Sequence, residues 1–132
     1  MENKWAIILG CSTGHGAAIT KQLALEGYGI IGFHLDRGAI KKDAIKFEEE
    51  ISSLNGSRVK FWNENAADKE VILSKMDDIN NLVEDGTVKL LMHSIAFGST
   101  TNFFEPTPVR QRQMDMTQHV MAHCLIYWTQ AL

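Results

Sequence analysis

The stretch "WAIILGCSTGHGAAITKQL", residues 5–23, sets three glycines between a short apolar run and a helical run. Trp5 to Leu9 carry apolar side chains on both faces, the pattern of a strand covered by helices on two sides. From residue 16 onward the apolar positions recur at spacings of three and four, which predicts a helix over 16–26. A chain that reverses so sharply between strand and helix needs backbone angles that glycine supplies at Gly10, Gly14 and Gly16. Bare backbone in such a turn lets a pyrophosphate approach the N–H groups. The helix N-terminus adds donors and partial positive charge. Ser12 and Thr13 bring hydroxyls to the same turn, and His15, between two glycines, can face phosphate, ribose or solvent.

Outward from this turn the pattern repeats. "GIIGFHL" (29–35), "RVKFWN" (58–63) and "TVKLLMHSIA" (87–96) read as three further strands. Helical periodicity fills 38–54 and 68–83, and in the second of these Val71, Ile72, Met76, Ile79 and Leu82 share one face. Gly27 and Gly29 flank Tyr28 where a left-handed helix stop is expected. Asn55-Gly56 and Asp85-Gly86 close the next two helices, and Asp68 stands at an N-cap. A last helix runs from about Pro108 to the end. Right-handed crossovers then give an α/β fold, a doubly wound parallel sheet of Rossmann type with strand order 3-2-1-4, over one domain spanning 1–132.

Composition narrows the function. Of 132 residues 45% are hydrophobic and 22% charged, a globular balance, and the net charge of −3 argues against a nucleic-acid binder. The Lys41, Lys42 and Lys46 cluster is followed at once by Glu48, Glu49 and Glu50, a solvated face of mixed sign. Two cysteines without a C-x-x-C pair read as reduced thiols. No apolar run approaches a membrane span and no signal-peptide layout opens the chain, so a cytoplasmic location is expected.

Asp36 ends the second strand twenty residues beyond Gly16. A carboxylate there accepts hydrogen bonds from the two hydroxyls of an adenosine ribose and repels a 2′-phosphate. Arg37, next to it, could instead grip that phosphate. NAD is the expected cofactor, with NADP as the alternative. Between glycine turn and acidic strand end, the strand–turn–helix context is the one the dinucleotide fingerprint requires.

On these residues the chain resembles the short-chain dehydrogenase/reductase family. The family pattern TGxxxGxG is matched at each glycine by "LGCSTGHG", with Leu9 in place of the threonine. Where the family has Asp-Val after its third strand, "NENAADKEV" places Asn65 and Ala66, implied to meet the adenine. Where it has Asn-Asn-Ala-Gly, "LLMHSIAFG" places His93, Ser94, Ile95 and Ala96. That variant is similar to the enoyl-acyl carrier protein reductases, although the glycine spacing follows the general family. The resemblance implies that Ser94, Ile95 and Ala96 run beside the nicotinamide ribose. Without the resemblance, His93 and Ser94 read as a strand end satisfying local backbone groups.

The final helix resembles the one that often forms the family's dimer interface, which implies a homo-oligomer. Met121 stands where many members carry an active-site Asn. From the residues themselves, Met114, Met116, Val120, Met121, Cys124, Leu125 and Trp128 read as core plus interface, with Met filling irregular gaps. His119 and His123 sit four apart, but no third ligand accompanies them, and they read as a surface or interface pair with no metal.

The family's proton donor is a Tyr with a Lys four residues later. Only Tyr28 and Tyr127 occur, no Lys follows Lys89, and neither Tyr fits the role, so no catalytic residue is assigned. The resemblance covers about the first half of a family member, and a chain cut before the fifth strand is the expectation. The implied activity is NAD(P)-dependent hydride transfer to a small molecule, an enoyl thioester among the candidates. The alternative is a catalytically incompetent nucleotide-binding or oligomerisation module.

Overall fold

The computed structural model describes residues 3–84 and 86–132, so Asp85 of the expected Asp85-Gly86 turn lies outside the described residues. Strands β1 (Lys4–Leu9), β2 (Gly29–His34), β3 (Val59–Asn63) and β4 (Thr87–His93) form one parallel sheet in the order β3-β2-β1-β4. Helices α1 (Gly14–Leu25), α2 (Gly38–Leu54) and α3 (Lys69–Val83) make the crossovers. After β4 a long loop leads to α4 (Gln111–Gln118), a π-helical turn (His119–His123) and α5 (Cys124–Ala131), which follow one another without a break. The expected doubly wound sheet and its strand order are therefore present. The chain winds outward through β2 and β3, then returns to place β4 on the other side of β1. A crevice opens beyond the strand ends where the winding reverses.

Side chains alternate across each strand, so β1 feeds two cores. Ala6 and Ile8 pack with Ala24, Ile30, Ile51 and Phe61 on the side of α1 and α2. Trp5, Ile7 and Leu9 pack with Ile31, Phe33, Ile72, Ile79 and Trp128 on the side of α3 and α5. Each fully buried Ile contributes roughly 2 kcal/mol, and β1 has no solvent-facing side to spare for polar residues. In β4 a one-residue bulge at Lys89 lets Trp5 pair with Val88 and Ala6 with Leu90. The shift keeps Val88 and Leu91 on the first-strand Trp5 side and Leu90 and Met92 on the other.

Among the departures from the sequence expectation, four have a clear local cause. The first helix starts at Gly14 rather than 16, because Thr13 C=O already accepts Ala17 N–H at 3.2 Å. Gly27 takes the left-handed stop at φ +83, but Gly29 does not. A Cβ on Gly29 would lie 2.5 Å from the Trp5 ring, so that glycine makes room for an indole. The fourth strand ends at His93, since Ser94 N–H makes the last ladder bond, to Leu9 C=O at 2.7 Å, before β1 turns away. The last helix starts at Gln111, because the Gln113 side chain reaches back to accept Arg110 N–H at 2.8 Å. Asp68 caps α3 as expected, accepting Glu70 N–H at 2.9 Å. Among the described residues no helix is long and apolar enough to cross a membrane.

Candidate functional site

The glycine turn is built by contact as much as by conformation. Gly10 (φ +88) presses on the end of β4, where an added Cβ would stand 2.3 Å from Ser94 O. Gly16, buried in the first turn of α1, sits against Gly10 itself, and its Cβ would fall 1.8 Å from Gly10 O. Gly14 (φ +57) faces open space, so its demand is for backbone angle alone. Phe33 C=O accepts both Gly10 N–H (2.8 Å) and Cys11 N–H (3.0 Å), which locks the turn to β2. Thr13 opens α1 in extended conformation with no side-chain cap. The first amides of a helix lack intrahelical partners, so these donors point outward from the turn.

Above the turn lies a cavity of about 480 Å³, a size in the range of small-molecule sites. Of the residues singled out in the sequence, Gly10, Ser12, Thr13, Asp36, Asn65, Ala66, Ser94, Ile95 and Ala96 line it. Four do not. Gly16 acts from behind through Gly10, Gly14 and His15 are exposed on the outer side of the turn, and Arg37 is exposed at the start of α2.

Asp36 is held on two levels. Its N–H donates to Asn63 Oδ1 and its C=O accepts from Asn63 Nδ2, both at 3.0 Å, so one amide clamps the main chain of the β2 end. Its Oδ2 lies 2.9 Å from His34 Nδ1. His34 was missed in the sequence, yet a signal existed: two residues apart on an extended chain, His34 and Asp36 project to the same side.

The far wall is the loop after β3, pinned by the last helix. Trp128 Nε1 donates to Ala66 O at 2.8 Å, and His119 Nε2 lies 2.7 Å from Ala67 O. Asn65 folds its own Oδ1 onto Ala67 N–H at 3.0 Å, leaving its amide NH₂ as the group that can reach the cavity. Ala66 is buried with its carbonyl engaged by Trp128, so it offers an apolar wall rather than an acceptor. The expectation of His119 and His123 as a surface pair is corrected: His119 is an internal strut, and only His123 is exposed. His93 likewise serves the backbone, its Nε2 2.8 Å from Val120 O in the π-helical turn. Val120, Cys124 and Trp128 supply the core stripe of the last helix, while Met114, Met116, Met121 and Leu125 stay exposed. Met116 and Val120 close the cavity on that side, and Phe97 its mouth.

Cys11 lies beneath the turn, fully buried, and burial drives its thiol well above the ordinary range. Neither Tyr28, under Lys4 at the opposite end of β2, nor Tyr127, beside His119 and Lys69, lines the cavity.

No protein-family model and no curated protein sequence matches the chain. Solved structures do. An L-sorbose reductase from Gluconobacter frateurii, complexed with NADPH and L-sorbose, superposes with a TM-score of 0.80 at 19% identity over 100% of this chain and 47% of its own. A 3-oxoacyl-[acyl-carrier protein] reductase from Brucella melitensis, in complex with NAD, gives 0.77 at 17% over 99% and 48%. A β-ketoacyl-[ACP] reductase from Bacteroides thetaiotaomicron gives 0.73 at 19% over 99% and 53%. The chain thus has the fold of the short-chain dehydrogenase/reductases and spans about half the length of these structures.

Proposed function

We propose that this chain is the dinucleotide-binding part of an NAD(P)-dependent oxidoreductase of the short-chain dehydrogenase/reductase type. The observation that carries the reading is the junction of the Gly10–Gly16 turn, the Asp36 carboxylate and the Ser94–Ala96 strand exit around one cavity. The residues fit the cofactor on physical grounds. Gly10 and Gly16 let the strand ends and the first turn of α1 pack closely enough to form the turn at whose main-chain amides a diphosphate would sit. Asp36 stands partly exposed at the edge of the same space, where ribose hydroxyls can donate to it.

A bound nicotinamide dinucleotide supplies hydride to an electrophilic carbon. The chain's own part is to grip and to exclude. Amides of residues 12–16 and the α1 dipole would hold the diphosphate, and Asp36 would take the ribose. Asn65 and Ala66 would wall the adenine end, and Ser94, Ile95 and Ala96 would border the nicotinamide end, all of them lining the same cavity with Met116 and Val120. The apolar Ile95 and Val120 would line the reacting face. The substrate is proposed to be a small carbonyl or conjugated compound. Acyl thioesters are favoured, whether 3-oxo or enoyl, because the His93-Ser94-Ile95 strand end resembles the enoyl reductases and two matched structures are named as acyl-carrier reductases.

The test is titration with NADH and NADPH, followed by cofactor oxidation in the presence of crotonyl and acetoacetyl thioesters. Saturable binding with turnover of one thioester supports the full reading. Absence of binding to either cofactor overturns it. A second reading is a nucleotide-binding module that works by association. It is favoured by the exposed Met121, Leu125 and Ile126 on the last helix and by the half-exposed face of β4. Binding without turnover leaves the dinucleotide-binding reading standing, and a concentration-dependent dimer alongside it would favour the module.

A further inference from the structure

We propose that His34 is a positioning residue for cofactor choice. Its ring pins one carboxylate oxygen of Asp36, so that the other is presented to the ribose hydroxyls of NADH and negative charge stays where the 2′-phosphate of NADPH would sit. The inference rests on the dinucleotide reading of the site. Three observations carry it.

His34 and Asp36 are both poorly exposed, with side chains at 6% and 15%, and their Nδ1 and Oδ2 atoms are 2.9 Å apart. That approach falls outside hydrogen-bond angles, and neither atom has another partner. The two buried atoms, 2.9 Å apart and without hydrogen-bond partners, interact only electrostatically, and a rotation of Asp36 that separated them would cost that contact too. Second, the buried oxygen of Asp36 is Oδ2, so the exposure that remains belongs to the rest of the side chain along the cavity wall. Third, among the described residues Asp36 is the acid within ion-pair distance of the ring. The ring also meets Phe61 edge-on, with centroids 6.3 Å apart at 67°. Glu48 of α2 is engaged by Phe61 N–H at 2.7 Å. Cys11 is a buried thiol held in its neutral form, and Arg37 is turned out to solvent. Because Asn63 already fixes the Asp36 main chain, side-chain rotation is the freedom that His34 removes.

A residue that merely fills space would affect both cofactors alike. A residue that orients the carboxylate must alter their ratio. Dissociation constants for NADH and NADPH would be measured on the wild-type chain, His34→Leu and His34→Asn, each checked for folding by circular dichroism. In His34→Leu, NADH binding should weaken about tenfold, the effect of losing one charge-assisted contact, with NADPH changing far less. His34→Asn, whose amide can still donate toward Oδ2, should recover most of the NADH preference. Equal weakening of both cofactors, or an unchanged ratio in a folded His34→Leu, overturns the inference and leaves the dinucleotide reading standing. A wild-type chain that binds neither cofactor overturns both. Should His34→Leu fail to fold, the wild-type ring still decides: long-range ¹H–¹⁵N spectra near neutral pH should place a proton on Nδ1, and a neutral ring protonated on Nε2 alone overturns the proposal.

Discussion

The two sides of the cavity are built to different standards. On the side of the glycine turn, β1 is buried from Trp5 to Leu9 and β2 along its whole length. Backbone contacts there leave no room for an added methyl group at Gly10 or Gly16. On the other side, β4 is no more than half-buried, and the loop that follows it exposes Phe97, Phe103 and Phe104. The first side is over-determined and can hold a cofactor in one geometry. The second is less constrained, with exposed loop side chains that can rearrange.

The largest break in this comparison should come from Gly16→Val. With its Cβ 1.8 Å from Gly10 O, the variant should lose on the order of 3 kcal/mol in denaturant unfolding, or fail to fold. Gly14→Ala, two residues away with open space around it, should lose only about 1 kcal/mol for its left-handed angle. Equal losses would show that the turn is not packed as described. Next, Trp128→Phe removes the Nε1 bond to Ala66 O in the buried strut between last helix and cavity wall. A loss of about 1–2 kcal/mol is expected from leaving that carbonyl unpaired. Asp36→Asn should leave the unfolding midpoint nearly unchanged while weakening NADH about tenfold, as a charged acceptor for ribose is lost. On the less constrained side, Ile126→Ser, at a position 54% exposed, should shift monomer stability by no more than about 0.5 kcal/mol.

Cys11 sharpens the contrast through pH. Desolvation holds its thiol protonated well past the ordinary value of 9.0. The unfolded chain therefore ionises this thiol first, and stability contributed by the neutral group is lost as pH rises above that value. Iodoacetamide should leave Cys11 unmodified in the folded protein at pH 8 and label it in denaturant. Rapid labelling of the native chain would mean that the turn opens.

Much of this was legible in the residues because the signals were local. Apolar runs at 5–9 and 29–33 announced strands buried on both faces, and the spacing of Gly10, Gly14 and Gly16 announced the turn. What escaped depends on contacts far apart in the chain. Nothing near Gly29 shows that it clears space for Trp5, and nothing near His119 or Trp128 points to carbonyls 52 and 62 residues away. The bulge at Lys89 was hidden for the same reason, since register belongs to a pair of strands and not to one. His34 was legible in principle, being on the same side as Asp36, but a lone histidine inside an apolar strand reads first as core.

The most direct test of the central claim is an amide-resolved NMR titration of the ¹⁵N-labelled chain with NADH. Saturable shifts concentrated at Ser12 to Gly16 and at Asp36, with Asn55 to Arg58 at the opposite end of the sheet unmoved, are predicted. Saturation with NADH that left the Ser12–Gly16 amides unperturbed would contradict the account.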